Sequence, residues 1–175
     1  LIALEAAHLA PQRVRGLALL GATYPMRVSE TLLQAARTEP AAAIDMVAAW
    51  SHASWLPGPS AAGPGTSVIN TARRLMQRMA ACGADGLLHT DFAACNAYAN
   101  GEAAAASIAC PVLFVQGRKD MMTPPRSAQQ LTGAVRHAAV VGVDAGHAMM
   151  SEAPDEVLAA LLRLARDVDR VQATG

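Results

Sequence analysis

Two apolar segments near the end of the chain, each running into a polar tip, constrain the fold most strongly. They are residues 112–120 (VLFVQGRKD) and 140–147 (VVGVDAGH). A helix is predicted between them, beginning at Thr123-Pro124-Pro125, where threonine is a good N-cap and proline suits the first turn. The 21 residues between Gln116 and Ala138 exceed the roughly twelve that a helical crossover needs. The pattern therefore predicts two parallel strands that end at the same edge of one sheet.

Each of these strands ends close to a side chain that can take part in proton transfer. Asp120 follows the first strand and His147 follows the second. Neighbouring strands lie about 5 Å apart, so short loops could bring the carboxylate and the imidazole into hydrogen-bond contact. The carboxylate would then fix the imidazole tautomer and leave the other ring nitrogen to accept a proton from a nucleophile. Asp144, which sits beside the histidine on the same strand, is interpreted as a turn residue.

The rest of the chain completes a helix-and-strand rhythm around a long helical stretch. An opening helix over 1–10 leads to a short strand at 14–21, and a helix beginning at Pro154 ends the chain. Between them the pattern is helical only, with predicted helices at 29–37, 40–50, 66–82 (capped by Thr66) and 88–98, ending at Asn100-Gly101, and a loop at 57–65. We predict an α/β fold with core residues 1–21 and 108–175 and a helical insert at 22–107.

Composition narrows the classes of partner. Fourteen basic and fourteen acidic residues balance, which argues against nucleic acid or an anionic membrane surface. No apolar run approaches the roughly 18 to 20 residues that span a bilayer. We expect a cytoplasmic location, and the oligomeric state stays open. No cofactor is expected. The three cysteines are interpreted as reduced core residues. No metal site is expected either, because neither they nor the remaining histidines have the spacing of metal ligands: Cys82, Cys95, Cys110, His8, His52, His89 and His137.

Several apolar residues near the two polar tips are candidates for a substrate pocket. Met121, Met122 and Met149 flank Asp120 and His147, although core filling explains methionines equally well. Trp50 and Trp55 could face the site from the helical insert, and packing within the insert is the alternative.

The two polar tips, with their flanks, resemble a known superfamily. The acid and histidine motifs of the α/β-hydrolases resemble residues 117–125 (GRKDMMTPP) and 146–157 (GHAMMSEAPDEV), respectively. The helix that follows that superfamily's nucleophile elbow resembles residues 1–7. The position of the helical insert matches that of the superfamily's cap. The resemblance implies an acid role for Asp120 and a general-base role for His147. The chain contains no G-x-S-x-G and no oxyanion segment, so we expect a C-terminal portion whose nucleophile comes earlier.

The resemblance implies a cofactor-independent serine hydrolase of an ester, a lactone or a related small acyl substrate. Other reactions on the same fold remain open: an aspartate nucleophile acting on haloalkanes, carbon–carbon bond hydrolysis, and cofactor-free haloperoxidation. A non-catalytic binding protein of this fold is a further alternative. The residue in the elbow would discriminate among these readings. We also expect the chain alone to be poorly soluble or partly folded, because one sheet edge would lack a partner strand.

Overall fold

A parallel three-stranded sheet forms the centre of the molecule. The computed structural model describes residues 1–54 and 66–173, so the predicted loop at 57–65 and Trp55 lie outside the described residues. The strands are β1 (Leu17–Leu20), β2 (Val112–Gly117) and β3 (Ala138–Val143), in the order β1-β2-β3. Both pairs are parallel, with Phe114 facing Leu19 on one side and Val140 on the other. The predicted parallel arrangement is confirmed, and β2 and β3 end at the same edge.

Helices precede, separate and follow the strands. Their bounds are α1 (Ile2–Leu9), α2 (Glu30–Thr38), α3 (Pro40–Trp50), α4 (Val68–Cys82), α5 (Leu87–Ala97), α6 (Gly101–Ala106), α7 (Gln129–Ala134), α8 (Met149–Glu152) and α9 (Pro154–Ala173). Within the predicted insert, two helix boundaries are wrong. Ser67, not Thr66, caps α4 by accepting the backbone N–H of Asn70. Gly101 begins α6 instead of ending the preceding helix, because Ala103 to Ala106 favour helix and carry it onward.

The central strand β2 is buried on both faces, whereas Ala139 and Val140 of β3 are exposed. Side chains of a strand alternate between faces, so Val112 and Phe114 pack on one side of β2 while Leu113 and Val115 pack on the other. Helices α1, α6 and α7 cover the first face, and α8 and α9 cover the second. This three-layer packing explains why β2 reads as a continuous apolar run in the sequence.

Helices α2 to α5 form smaller clusters of their own beside the sheet layers. Leu32, Ala36 and Ala43 join α2 to α3, and Ala48 packs against Val68 and Ile69 at the start of α4. Helix α6 lies inside the predicted insert at 22–107, yet its Ala104 and Ala105 are fully buried against the sheet. The boundaries of the insert stay a prediction, and α6 belongs to the core layer.

Of the three cysteines predicted to lie in the core, Cys110 packs against the core cluster of the first sheet face and Cys82 lies outside any core. Cys82 is exposed and Cys95 and Cys110 are half-buried, and all three are free thiols. The apolar neighbours of Cys82 in the sequence suggested burial, but one face of α4 is open to solvent, and Leu75 and Met79 are exposed there as well. Among the helices that the structure describes, none has the length and hydrophobicity of a membrane span.

Candidate active site

Asp120 lies in the loop after β2, and hydrogen bonds occupy both of its carboxylate oxygens. Oδ1 accepts the backbone N–H groups of Met122 (2.9 Å) and Thr123 (2.8 Å). An aspartate in a turn commonly accepts the amides that follow it, so the local sequence itself forms this arrangement. Oδ2 accepts the Thr123 hydroxyl (2.8 Å) and faces His147. The side chain is fully buried, and its orientation is therefore strongly determined.

The pKa of Asp120 lies below the ordinary aspartate value of 3.8. Burial opposes this by raising the pKa, but the hydrogen bond from His147, the backbone N–H of Thr123 and the charge of His147 together outweigh burial. The group is therefore a carboxylate near neutral pH. In that form it can stabilise a positive charge on the imidazole.

His147 lies in the loop after β3, with its ring turned to Asp120. The distance from Nδ1 to Asp120 Oδ2 is 2.9 Å, so Nδ1 carries the proton and donates it to the carboxylate. No hydrogen bond engages Nε2 among the residues that the structure describes. The side chain is 31% exposed. The imidazole is therefore partly open to solvent, and Nε2 is the ring nitrogen left to exchange a proton with another group.

Backbone contacts hold the two loops against each other. Arg118 N–H donates to Val143 O (2.9 Å), and Lys119 N–H donates to Ala145 O (3.0 Å). These bonds continue the pairing of β2 and β3 beyond the strand ends. Asp144 pairs with the exposed Lys119 at 2.9 Å, so its carboxylate is engaged away from the imidazole.

Thr123 is a site residue that the sequence interpretation missed. It was predicted to cap a helix, but a short 3-10 turn (Pro125–Ala128) comes first and α7 begins only at Gln129. Instead, its hydroxyl donates to Asp120 Oδ2 and lies 3.0 Å from His147 Nδ1, close enough to share the imidazole proton. The spacing of an aspartate three residues before a threonine is the signal that could have identified it.

Gly21 is a second missed residue, at the end of β1. It has a φ of +59°, a conformation that favours glycine. A Cβ built there would lie 3.0 Å from both Cε1 and Nδ1 of His147. The ends of all three strands therefore meet at the imidazole. A glycine ending a strand at the shared edge was the available signal.

The predicted pocket residues do not form one group. Met149 is fully buried in the apolar cluster between the sheet and α9. Met121 is 76% exposed, and Trp50 is 39% exposed at the end of α3. Met122 is half-buried, and its Sδ accepts the hydroxyl of Ser51 at 3.1 Å. A role in binding substrate stays a prediction for all four residues: Met121, Met122, Met149 and Trp50.

The other histidines make different contacts. His8 Nδ1 lies 2.7 Å from Ser107 Oγ, but that hydroxyl donates to Ala104 O, so the pair is not a base activating a serine. His52 is buried with Nδ1 2.8 Å from Ala48 O. Within residues 1–54 and 66–173, no group of three or more His, Cys, Asp or Glu side chains could hold a metal ion.

Comparison with protein families gives one match. A family model described as TAP-like protein matches residues 72–165, which is more than half of the chain and includes both Asp120 and His147. No curated protein matches the chain in sequence.

Solved structures of similar fold extend over nearly the whole chain. A thermophilic esterase has a TM-score of 0.74 at 21% identity over 95% of this chain and 62% of its own. The enol-lactonase from Burkholderia xenovorans LB400 has 0.71 at 17% identity over 94% and 61%. Est816, described as an N-acyl homoserine lactone degrading enzyme, has 0.68 at 20% over 93% and 62%. The chain therefore spans about three fifths of the length of these structures, and they share its fold.

Proposed function

The chain belongs to the α/β-hydrolase superfamily, in the family described as TAP-like protein, and from this premise we propose its function. It supplies the acid and the general base of a serine-type hydrolase that acts on esters, lactones or related small acyl substrates. One observation carries the proposal. The buried Asp120 carboxylate accepts the Nδ1–H of His147 at 2.9 Å, while the imidazole stays partly exposed.

The arrangement suits acyl transfer in two steps. His147 Nε2 takes the proton of a serine hydroxyl as that oxygen bonds to the substrate carbonyl carbon, and Asp120 stabilises the imidazolium that forms. The imidazolium then gives its proton to the leaving oxygen, and an acyl-enzyme remains. Water, deprotonated by His147 in the same way, attacks the acyl carbon and returns the serine. The serine is expected in a G-x-S-x-G segment, which this sequence does not contain.

The substrate class is proposed from two considerations. The similar folds include proteins described as an esterase, an enol-lactonase and an N-acyl homoserine lactone degrading enzyme, and these descriptions favour an ester or a lactone as substrate. Apolar side chains lie beside the acid loop: Met122 is half-buried and accepts the hydroxyl of Ser51, and Trp50, directly before Ser51, is partly exposed. A neutral acyl substrate needs no charged partner in such surroundings.

The test uses a protein that carries this chain together with its nucleophile segment. Asp120→Asn and His147→Ala are expected to lower kcat by about 10⁴-fold for an aryl ester, because each removes part of one proton-transfer unit. Asp144→Asn and His137→Ala are matched controls on exposed residues and should retain activity. Thermal melting of all four variants checks that the fold survives. Unchanged turnover by His147→Ala would refute the proposal.

A covalent probe tests the type of nucleophile. A fluorophosphonate should label the protein, and His147→Ala should label far more slowly because the serine is no longer deprotonated. Absence of labelling together with halide release from a haloalkane would instead identify an aspartate nucleophile on the same acid and base.

A further inference from the structure

Glu152, on the short helix α8, links the loop that carries His147 to a segment far away in sequence. Its Oε2 accepts the backbone N–H of Gly146 at 2.7 Å, and its Oε1 accepts the backbone N–H of Ala53 at 2.8 Å. Bonds from amides to a carboxylate are charge-assisted and therefore stronger than bonds between neutral groups. One side chain thus connects the residue before His147 to the segment that follows α3.

The residue after His147 is held by the same segment. Ala148 N–H donates to Ser51 O at 2.7 Å. The backbones approach closely here, because a Cβ on Gly146 would lie 2.7 Å from Ala53 N and 2.8 Å from Ser51 O. Both neighbours of His147 are therefore attached to residues 51–53.

Residues 51–53 also contact the acid loop. The Ser51 hydroxyl donates to Met122 Sδ at 3.1 Å, two residues beyond Asp120. Residues 51–53 directly follow α3, one of the helices between β1 and β2. A shift at the end of α3 would therefore be transmitted to the loop that places the imidazole.

We propose that Glu152 is a positioning residue that sets the location of His147 by fastening its loop to residues 51–53. The catalytic consequence rests on the function proposed above, whereas the positioning itself does not. A carboxylate can accept two amide N–H groups at once, but the amide of glutamine offers one acceptor oxygen only. Glu152→Gln therefore keeps the size of the side chain and removes one of the two bonds.

The experiment compares Glu152→Gln with Glu156→Gln, an exposed glutamate on the first turn of α9. The first measurement is the low-field proton NMR signal of His147 Nδ1–H, assigned by its absence in His147→Ala. We expect this signal to shift and broaden in Glu152→Gln and to stay unchanged in Glu156→Gln. The second measurement is kcat/KM in the full-length protein, which should fall about 10- to 100-fold for Glu152→Gln only, because small displacements of a reacting group have effects of this size.

A second variant approaches the same link from the other side. Ala53→Pro removes the N–H that Glu152 accepts while leaving Glu152 and both site loops intact, and it should change the His147 signal in the same direction. A His147 signal and a kcat/KM in Glu152→Gln equal to those of Glu156→Gln would overturn the positioning role. If the His147 signal changes in Glu152→Gln but the unsubstituted full-length protein has no hydrolase activity, the positioning role is supported and the proposed function is contradicted.

Discussion

A Cβ on Gly117 would lie 2.3 Å from the carbonyl oxygen of Gly146, so the end of β2 touches the backbone that carries His147. The neighbouring carbonyl of Ala145 would lie 2.5 Å from the same atom. Both contacts involve backbone, which cannot move aside as a flexible side chain can. The absence of a side chain at Gly117 therefore permits the His147 loop to lie close enough for the 2.9 Å hydrogen bond to Asp120.

Gly117→Ala is expected to push the His147 loop away from the acid loop. We expect a loss of about 1–3 kcal/mol in the free energy of unfolding, measured by urea denaturation, because the added methyl overfills a packed site. We also expect kcat/KM for hydrolysis to fall about 100-fold, because the imidazole would be displaced from its reacting position. Gly133→Ala is the control: its Cβ would meet nothing within 4 Å, and alanine in α7 should stabilise by about 0.5–1 kcal/mol. Equal behaviour of the two variants would contradict this account.

Gly21→Ala separates backbone strain from contact with the imidazole. Gly21 and Gly86 both have positive φ, at +59° and +73°, so alanine should cost about 1–2 kcal/mol at either position. Only at Gly21 would the new Cβ lie against His147, because nothing lies within 4 Å of one at Gly86. The two variants should melt alike, and only Gly21→Ala should lower kcat/KM, by about tenfold or more. Full activity in Gly21→Ala would contradict this prediction, because it would show that the His147 imidazole can move aside without loss of function.

Thr123→Val tests the hydroxyl that lies between the acid and the histidine. Valine keeps the shape and the backbone N–H but removes the bond to Asp120 Oδ2, which should lower kcat/KM about tenfold, since a hydrogen bond to a charged group contributes about 1.5–3 kcal/mol. Thr123→Ser should restore most of the activity. Thr132→Val, which loses only a local bond to Gln129 O, is the matched control. A serine variant as impaired as the valine variant would indicate packing instead of hydrogen bonding.

The lowered pKa of Asp120 predicts a dependence of stability on pH. Because the folded pKa lies below the unfolded value of about 3.9, the carboxylate adds stability above that value and loses it as pH falls through the folded pKa. Asp120→Asn should therefore be less stable than the parent at pH 7, and the difference should shrink below about pH 4. Melting temperatures at pH 7 and pH 3 measure this. A difference that stays constant with pH would contradict the assignment.

The fold was predictable where the sequence pattern is local. The apolar runs of β2 and β3, and the length between them, were sufficient to place two parallel strands with Asp120 and His147 at one edge. Prediction failed where a residue's partner lies far away in sequence. Thr123 was assigned to a helix because its local context resembles a cap, whereas its contact with His147 depends on the loop after β3.

Hydrophobic periodicity and strand-end chemistry determined, from sequence alone, the parallel sheet and the identity of the acid and histidine pair. Both signals depend on residues within one strand or one turn, so they can be recognised without knowledge of tertiary packing. Only the tertiary structure decided that Gly21 and Thr123 lie against the His147 imidazole and that Glu152 bonds the backbone N–H of Gly146, the residue before it. Those contacts depend on how three strand ends and the residues after α3 come together, and a hydrogen bond forms or fails within a few tenths of an ångström.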